Sequence, residues 1–297
     1  MKTQKLLLAI FLLLTITSCT QKPTADPEYI KEIEDWDKRR VERLREENGW
    51  LNLAGLFWLK EGENKFGSAN DNNIIFPSGP DNIGILILKD SVVTVKINRG
   101  INVINNGNAV TEMTLLDDLS GNPTILQTGS LRWNVIKRTK GIGIRFRDLN
   151  ADLVKNFKGI ERFPVNEEWK IEASFDVYDP PKKILIPDIV GTVDEELCPG
   201  AVVFVKDGKE YRIDAIDSGQ RLFLIFADET SGVETYGAGR FMYVDKPDSA
   251  GKIILDFNKA YNPPCVFTKF ATCPLPPKEN YLKLRIEAGE KMWGGMH

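Results

Sequence analysis

Histidine is nearly absent from this chain of 297 residues, whose one imidazole belongs to His297, the last residue. Serine–histidine triads, cysteine–histidine dyads and histidine-rich zinc sites all need an imidazole fixed in the body of a fold. Acid–base chemistry therefore falls to Asp, Glu, Tyr, Lys or Cys. Long hydrophobic runs are equally scarce. Leu6–Leu14 is apolar throughout, but its nine residues fall short of the roughly 20 that a membrane-spanning helix needs. No basic block or stripe is present and the formal charge is −3, so nucleic acid is not an expected partner. A dinucleotide fingerprint is missing too: Gly237-Ala238-Gly239 lacks the third glycine and the helix that should come after it. No cofactor and no metal site are expected.

The N-terminus sets an expectation of compartment. Lys2 and Lys5 precede the apolar run, and Ile16-Thr17-Ser18-Cys19 closes it. This pattern fits a secretory signal over residues 1–18. Small residues before Cys19 resemble a bacterial lipobox, in which the cysteine becomes the lipidated first residue; the alternative is a plain secretory signal. Several acyl chains anchor a protein stably where one does not. The expected location is the bacterial cell envelope, with the membrane as a partner through a lipid anchor. Losing Lys2 and Lys5 takes the charge from −3 to −5. Residues 19–26 are polar, contain Pro23 and read as a short tether.

Beyond the tether the chain reads as one helix and then mainly β structure. Asp26-Pro27 predicts a helix N-cap with proline at the first position. Ile30, Ile33, Trp36, Val41 and Leu44 recur at helical spacing up to Gly49, so residues 27–49 read as one amphipathic helix. Residues 50–150 read as short strands separated by turns, a first β-sandwich unit. Its clearest hairpin is Val103–Val110, around Asn106-Gly107. The run "NKFGS", "NNIIFP", "VINNGNAV" and "LQTGSLRWNVIKR" weakly resembles a forkhead-associated sandwich. Ser68 stands where that family's phosphate-reading arginine would be, so the resemblance implies a fold and not phosphopeptide binding. Residues 160–291 read as a second β unit, with a hairpin at Asp207-Gly208. The expectation is two packed antiparallel β units behind one helix.

Chemistry is expected in the second half. In Glu234-Thr-Tyr-Gly-Ala-Gly-Arg240, glycines permit close backbone approach. The turn either offers a guanidinium fork to an anion or is a tight turn held by a Glu234–Arg240 ion pair. Asp256–Asn280 carries five prolines and two cysteines. Residues before proline are pushed to extended geometry, so this reads as a stiff strap that covers a core edge or walls a pocket. Its polar residues Asp256, Asn258, Tyr261 and Asn280 favour the pocket. Cys265 and Cys273 form either a disulfide or a pair of buried thiols.

The blocks "GWLNLAGLFWLKEGENKFGS", "ETYGAGRFM", "LDFNKAYNPPCVFTKFATCPLPPKENYL" and "IEAGEK" resemble the bacterial family called domain of unknown function 1684, over about Trp36 to Lys291. That resemblance implies a domain and no mechanism. Two functional readings stand. One is a lipoprotein binding a small anionic or polar ligand, with Arg240, Tyr236, Asn258 and Tyr261 as contacts. The other is a histidine-independent hydrolase, with Glu234 and Asp256 as the acid–base pair and Arg240 holding an anion. A structural, protein-interaction role is the third possibility. Both site readings require the glycine turn and the strap to face one hollow.

Overall fold

The computed structural model describes residues 25–294. The signal sequence, Cys19, most of the tether and His297 lie outside the described residues. Among the described residues, no helix is long and apolar enough to cross a membrane, and no group of three or more His, Cys, Asp or Glu could hold a metal ion.

Helix α1 runs Pro27–Arg45. It starts where expected: the Asp26 side chain accepts from the Glu28 N–H at 2.8 Å, and proline is the first helical residue. It stops four residues short of Gly49, with Asn52 Nδ2 donating to the carbonyls of Glu46 and Glu47. Tyr29, Ile33, Arg40 and Leu44 are its buried residues. That face is therefore not purely apolar: a buried cation interrupts it.

The first β unit contains β1 (Leu53–Trp58), β2 (Gly62–Gly67), β3 (Ile74–Ile75), β4 (Gly84–Lys89), β5 (Val92–Ile97), β6 (Ile104–Asn105), β7 (Asn108–Ala109), β8 (Glu112–Leu115), β9 (Leu126–Thr128), β10 (Leu131–Arg138) and β11 (Gly141–Asp148). One sheet has the order β1-β11-β10-β9-β6-β7 and the other β3-β2-β4-β5-β8. Their inner faces share a core built on Phe66, Phe76, Trp133 and Phe146, whose rings pack at centroid distances of 4.3–6.0 Å. Asn106 (φ 48°) and Gly107 (φ 81°) make the hairpin turn between β6 and β7. Two positive φ values in succession suit asparagine and glycine because their steric cost there is small.

A short helix α2 (Asp152–Asn156) leads to the second unit. This unit holds β12 (Lys170–Pro187), β13 (Val193–Lys206), β14 (Lys209–Ser218), β15 (Arg221–Phe226), β16 (Arg240–Asp245) and β17 (Lys252–Asp256). The order β16-β15-β14-β13-β12-β17 is antiparallel throughout, and its end strands approach each other, so the sheet nearly closes into a barrel. Inside sit Val202, Phe204, Ile213, Leu224, Phe226, Met242, Leu255 and Phe257, with Leu282, Leu284 and Ile286 of the C-terminal segment filling the remaining space. The β12–β13 hairpin is longer than its apolar pattern indicated. It projects Val177, Leu185, Val193 and Leu197 into solvent.

The opposite face of β15 and β16 positions the candidate site. Register pairs Arg221 with Asp245, Phe223 with Tyr243 and Ile225 with Phe241, so these six side chains share one face. Ile225 and Phe241 join Ile186, Ile216, Cys265, Ala271 and Cys273 in a second apolar cluster. Both faces of β15 are thus covered, which explains why Leu222–Phe226 reads as an unbroken apolar run and not an alternating one.

Candidate functional site

The glycine turn is a structural hub. Arg240 is fully buried. Its Nη2 donates to Asp228 Oδ2 at 2.7 Å and to the Ile286 carbonyl at 3.0 Å; Nη1 donates to the carbonyl of Ala288 and, at 3.5 Å, to that of Glu290. Asp228 also accepts from the Thr230 N–H at 2.7 Å and the Thr230 hydroxyl at 2.5 Å. Burial pushes the Arg240 pKa down while the Asp228 carboxylate pulls it back up. This ion pair clamps the turn to the 286–290 segment and leaves no guanidinium face for a ligand. Gly239 is needed for packing: at φ 86° an added Cβ would sit 2.5 Å from the Phe226 carbonyl oxygen. The expected Glu234–Arg240 ion pair is not formed. Glu234 pairs with Arg285 at 2.6 Å on a half-exposed surface.

Asp256 belongs to a different network. Its Oδ1 accepts from Tyr29 Oη at 2.8 Å and from the Asn258 N–H at 3.1 Å, while Lys259 Nζ lies 3.3 Å from Oδ2. Asn258 Nδ2 donates to Tyr29 Oη at 3.0 Å and to the Asn166 carbonyl at 2.9 Å. Burial first, then the Asp256 charge, raises the Tyr29 pKa. These groups fasten the start of α1 to the strap. Glu234 and Asp256 share no hydrogen-bonding or ionic partner. Asn280 is also structural: its amide bridges the backbone of Asp214 and Ile225 through bonds of 2.8–2.9 Å.

Cys265 and Cys273 are buried free thiols. The Cys265 N–H donates to Cys273 Sγ at 3.1 Å. Burial pushes the Cys273 thiol up, while hydrogen bonds from Cys273 and Tyr236 hold Cys265 below its ordinary value. Tyr236 packs beside Cys265, and burial raises its phenol.

The strap does wall a hollow, but the wall facing it comes from α1 and the outer face of the second sheet. The cavity has a volume of about 470 Å³. Helix α1 contributes Trp36, Arg40 and Arg43, spaced i, i+4, i+7 along one helical face. The sheet contributes Arg221, Phe223, Phe241 and Tyr243. The strap contributes Lys259, Tyr261, Pro264, Thr272, Cys273 and Pro274, and Trp50 closes the side towards the first unit. Of the residues expected at a site, Tyr261 and Cys273 line this pocket; Glu234, Tyr236, Arg240, Asp256, Asn258 and Cys265 do not.

Four lining residues are cations and none is a carboxylate. Their commitments differ. Arg40 Nε lies 3.3 Å from the buried Glu290 carboxylate, Nη2 donates to the Asn262 carbonyl at 2.9 Å, and the guanidinium sits 4.6 Å from the Tyr261 ring centroid. Lys259 bridges Glu32 at 2.5 Å and Asp256 at 3.3 Å. Arg43 and Arg221 form no ion pair or side-chain hydrogen bond among the described residues, and Arg221 stacks 4.4 Å from the Tyr243 centroid. Behind Trp50 lies Arg145, 8% exposed, 5.3 Å from that ring and in no ion pair among the described residues. Burial lowers its pKa to about 10, so it stays charged at neutral pH. The aromatic wall is continuous: Phe223 stacks on Tyr243 at 4.7 Å and meets Phe241 edge-on at 5.0 Å, and Phe241 meets Tyr261 at 6.0 Å.

Fold and site together define a mainly antiparallel β protein with a helix-roofed, cationic, aromatic hollow on the outside of its second sheet. Residues 155–291 match the family described as protein of unknown function, DUF1684, and this region of the chain belongs to that family. The matched range holds the second β unit and the strap; α1 and the first β unit, including the block around Trp50, lie before it. No curated protein matches. Among solved structures, the solution NMR structure of an uncharacterised protein of Haloarcula marismortui is 30% identical, covering 46% of this chain and 78% of that chain with a TM-score of 0.39.

Proposed function

We propose that this protein binds a small organic anion in the pocket between α1, the strap and the outer face of β15–β16, and that it does so as a lipid-anchored protein of the cell envelope. One observation carries the binding reading: a pocket lined by four cations and no carboxylate, in which Arg43 and Arg221 have no acidic partner among the described residues. A guanidinium satisfied by its own protein is part of the scaffold, whereas one facing an acid-free hollow is available to a carboxylate or phosphate. The walls supply apolar area and the cations fix orientation, the usual division of labour in small-molecule sites. Binding is favoured over hydrolysis because no carboxylate lines the cavity to act as base, and the acids paired with its lining cations, Glu290 on Arg40 and Asp256 and Glu32 on Lys259, are held in ion pairs.

A calorimetric screen of carboxylates and phosphates against the purified chain tests this. Binding that weakens at least tenfold in Arg43→Gln/Arg221→Gln supports the site; binding unchanged in that double variant contradicts it. The anchor rests on the lipobox-like Ile16–Cys19. Cys19→Ser is expected to abolish acylation and release the protein from membranes, and unaltered membrane partitioning would count against it.

A further inference from the structure

Resting on that binding reading, we infer that the ligand is a flat organic dianion: an aromatic or otherwise planar body with an acidic group towards each of two walls. Three features of the pocket carry this. First, the side chains available to a ligand mainly donate. Guanidinium, ammonium and indole groups have no acceptor to offer, and the lining includes no Asp, Glu, Asn or Gln. A sugar brings several hydroxyl protons that each need an acceptor, and a buried donor left unmatched costs about 1–3 kcal/mol. A carboxylate brings acceptors only, which is what donors want.

Second, the uncommitted cations rise from different walls, Arg43 from α1 and Arg221 from the start of β15. Both are exposed at the rim of the hollow, and a monoanion engages one while the other keeps only water as a partner. A body with two acidic groups satisfies both. Third, the surface joining them is aromatic. The Phe223 and Tyr243 rings lie stacked at 26°, and Trp36 of the helix meets Tyr261 of the strap with ring centroids 6.4 Å apart. Such faces favour a planar, polarisable body by offset stacking.

The test compares four probes by titration calorimetry on the purified full chain at fixed ionic strength: 2,6-naphthalenedicarboxylate, 2-naphthoate, glucose 6-phosphate and inorganic phosphate. The expected result is that the dicarboxylate binds at least tenfold more tightly than the other three, and that Arg43→Gln or Arg221→Gln each reduces it to the level of 2-naphthoate. Arg221→Lys, which keeps the charge and loses the fork, is expected to fall between. Glucose 6-phosphate or phosphate binding as tightly as the dicarboxylate, in a manner lost with either arginine, overturns the planar dianion while the anion pocket stands. Equal binding of 2-naphthoate and the dicarboxylate overturns the two-anion requirement alone. If no probe binds, or binding ignores both arginines, the pocket reading falls with it. Far-UV circular dichroism and thermal unfolding confirm that each variant is folded.

Discussion

Two arginine environments of the same sheet invite comparison. Arg240, at the start of β16, points to the barrel interior side, carries four hydrogen bonds and is fully buried. Arg221, at the start of the neighbouring β15, points to the outer face, stacks on one tyrosine and has no acid partner among the described residues. In sequence the first is the more eye-catching, flanked by glycines and a glutamate. In space both its Nη groups are bonded inside the fold, and the plainer arginine faces the hollow. What separates scaffold from site is the state of the guanidinium's donors, which depends on residues 46–50 positions away along the chain.

This contrast yields graded expectations. Removing either member of the Arg240–Asp228 pair leaves an uncompensated buried charge, so Arg240→Ala or Asp228→Ala should cost about 3–5 kcal/mol in urea unfolding. Replacing both by Met and Leu should restore much of that loss, because the desolvation cost vanishes with the pair. Asn280→Ala should come next at about 2 kcal/mol, since it orphans the Asp214 N–H and two buried carbonyls. Arg43→Gln and Arg221→Gln are the counterpart. Each should change unfolding stability by no more than about 0.5 kcal/mol while weakening anion binding at least tenfold. A large stability loss at Arg221 would erase the distinction between the two arginines.

The smallest effect concerns the strap's tie to α1. The hydrogen bond from Lys259 is the main reason the Glu32 carboxyl titrates below its ordinary 4.5, with burial opposing. A depressed folded-state pKa gives stability that is present above the unfolded value and lost as pH falls through the folded one. Glu32→Gln should therefore lower stability at neutral pH by at most about 1 kcal/mol, because the pair is part-exposed and solvent-screened. The difference should close as the pH drops below the native carboxylate's titration. Equal losses at both ends of the pH range would mean that Glu32 acts through packing.

Much of the fold was legible because its signals are local. Asp26-Pro27 marks the helix start, Asn106-Gly107 and Asp207-Gly208 mark hairpins, and both turn pairs adopt positive φ. Strands before residue 150 and after residue 170 fall in separate sheets, the early ones short and the later ones reaching 18 residues. The proline-rich segment was readable as a wall for the same reason: proline dictates its own backbone and that of its predecessor. The site was less legible because its partners are distant. Trp36, Arg40 and Arg43 look like an ordinary amphipathic face until the strap and Arg221 are placed opposite them. One trace was available: Leu222–Phe226 is apolar on both strand faces, which signals a covered outer surface. Nothing local distinguishes the Arg240 donors, spent on carbonyls from Ile286 onward, from the free donors of Arg221.

The most direct test is a heteronuclear NMR titration of the full chain with 2,6-naphthalenedicarboxylate. The account predicts that the indole N–H signals of Trp36 and Trp50 move with saturation, while the backbone amides of Glu234–Arg240 stay in place. Shifts concentrated in that turn, with both indoles unmoved, would contradict it.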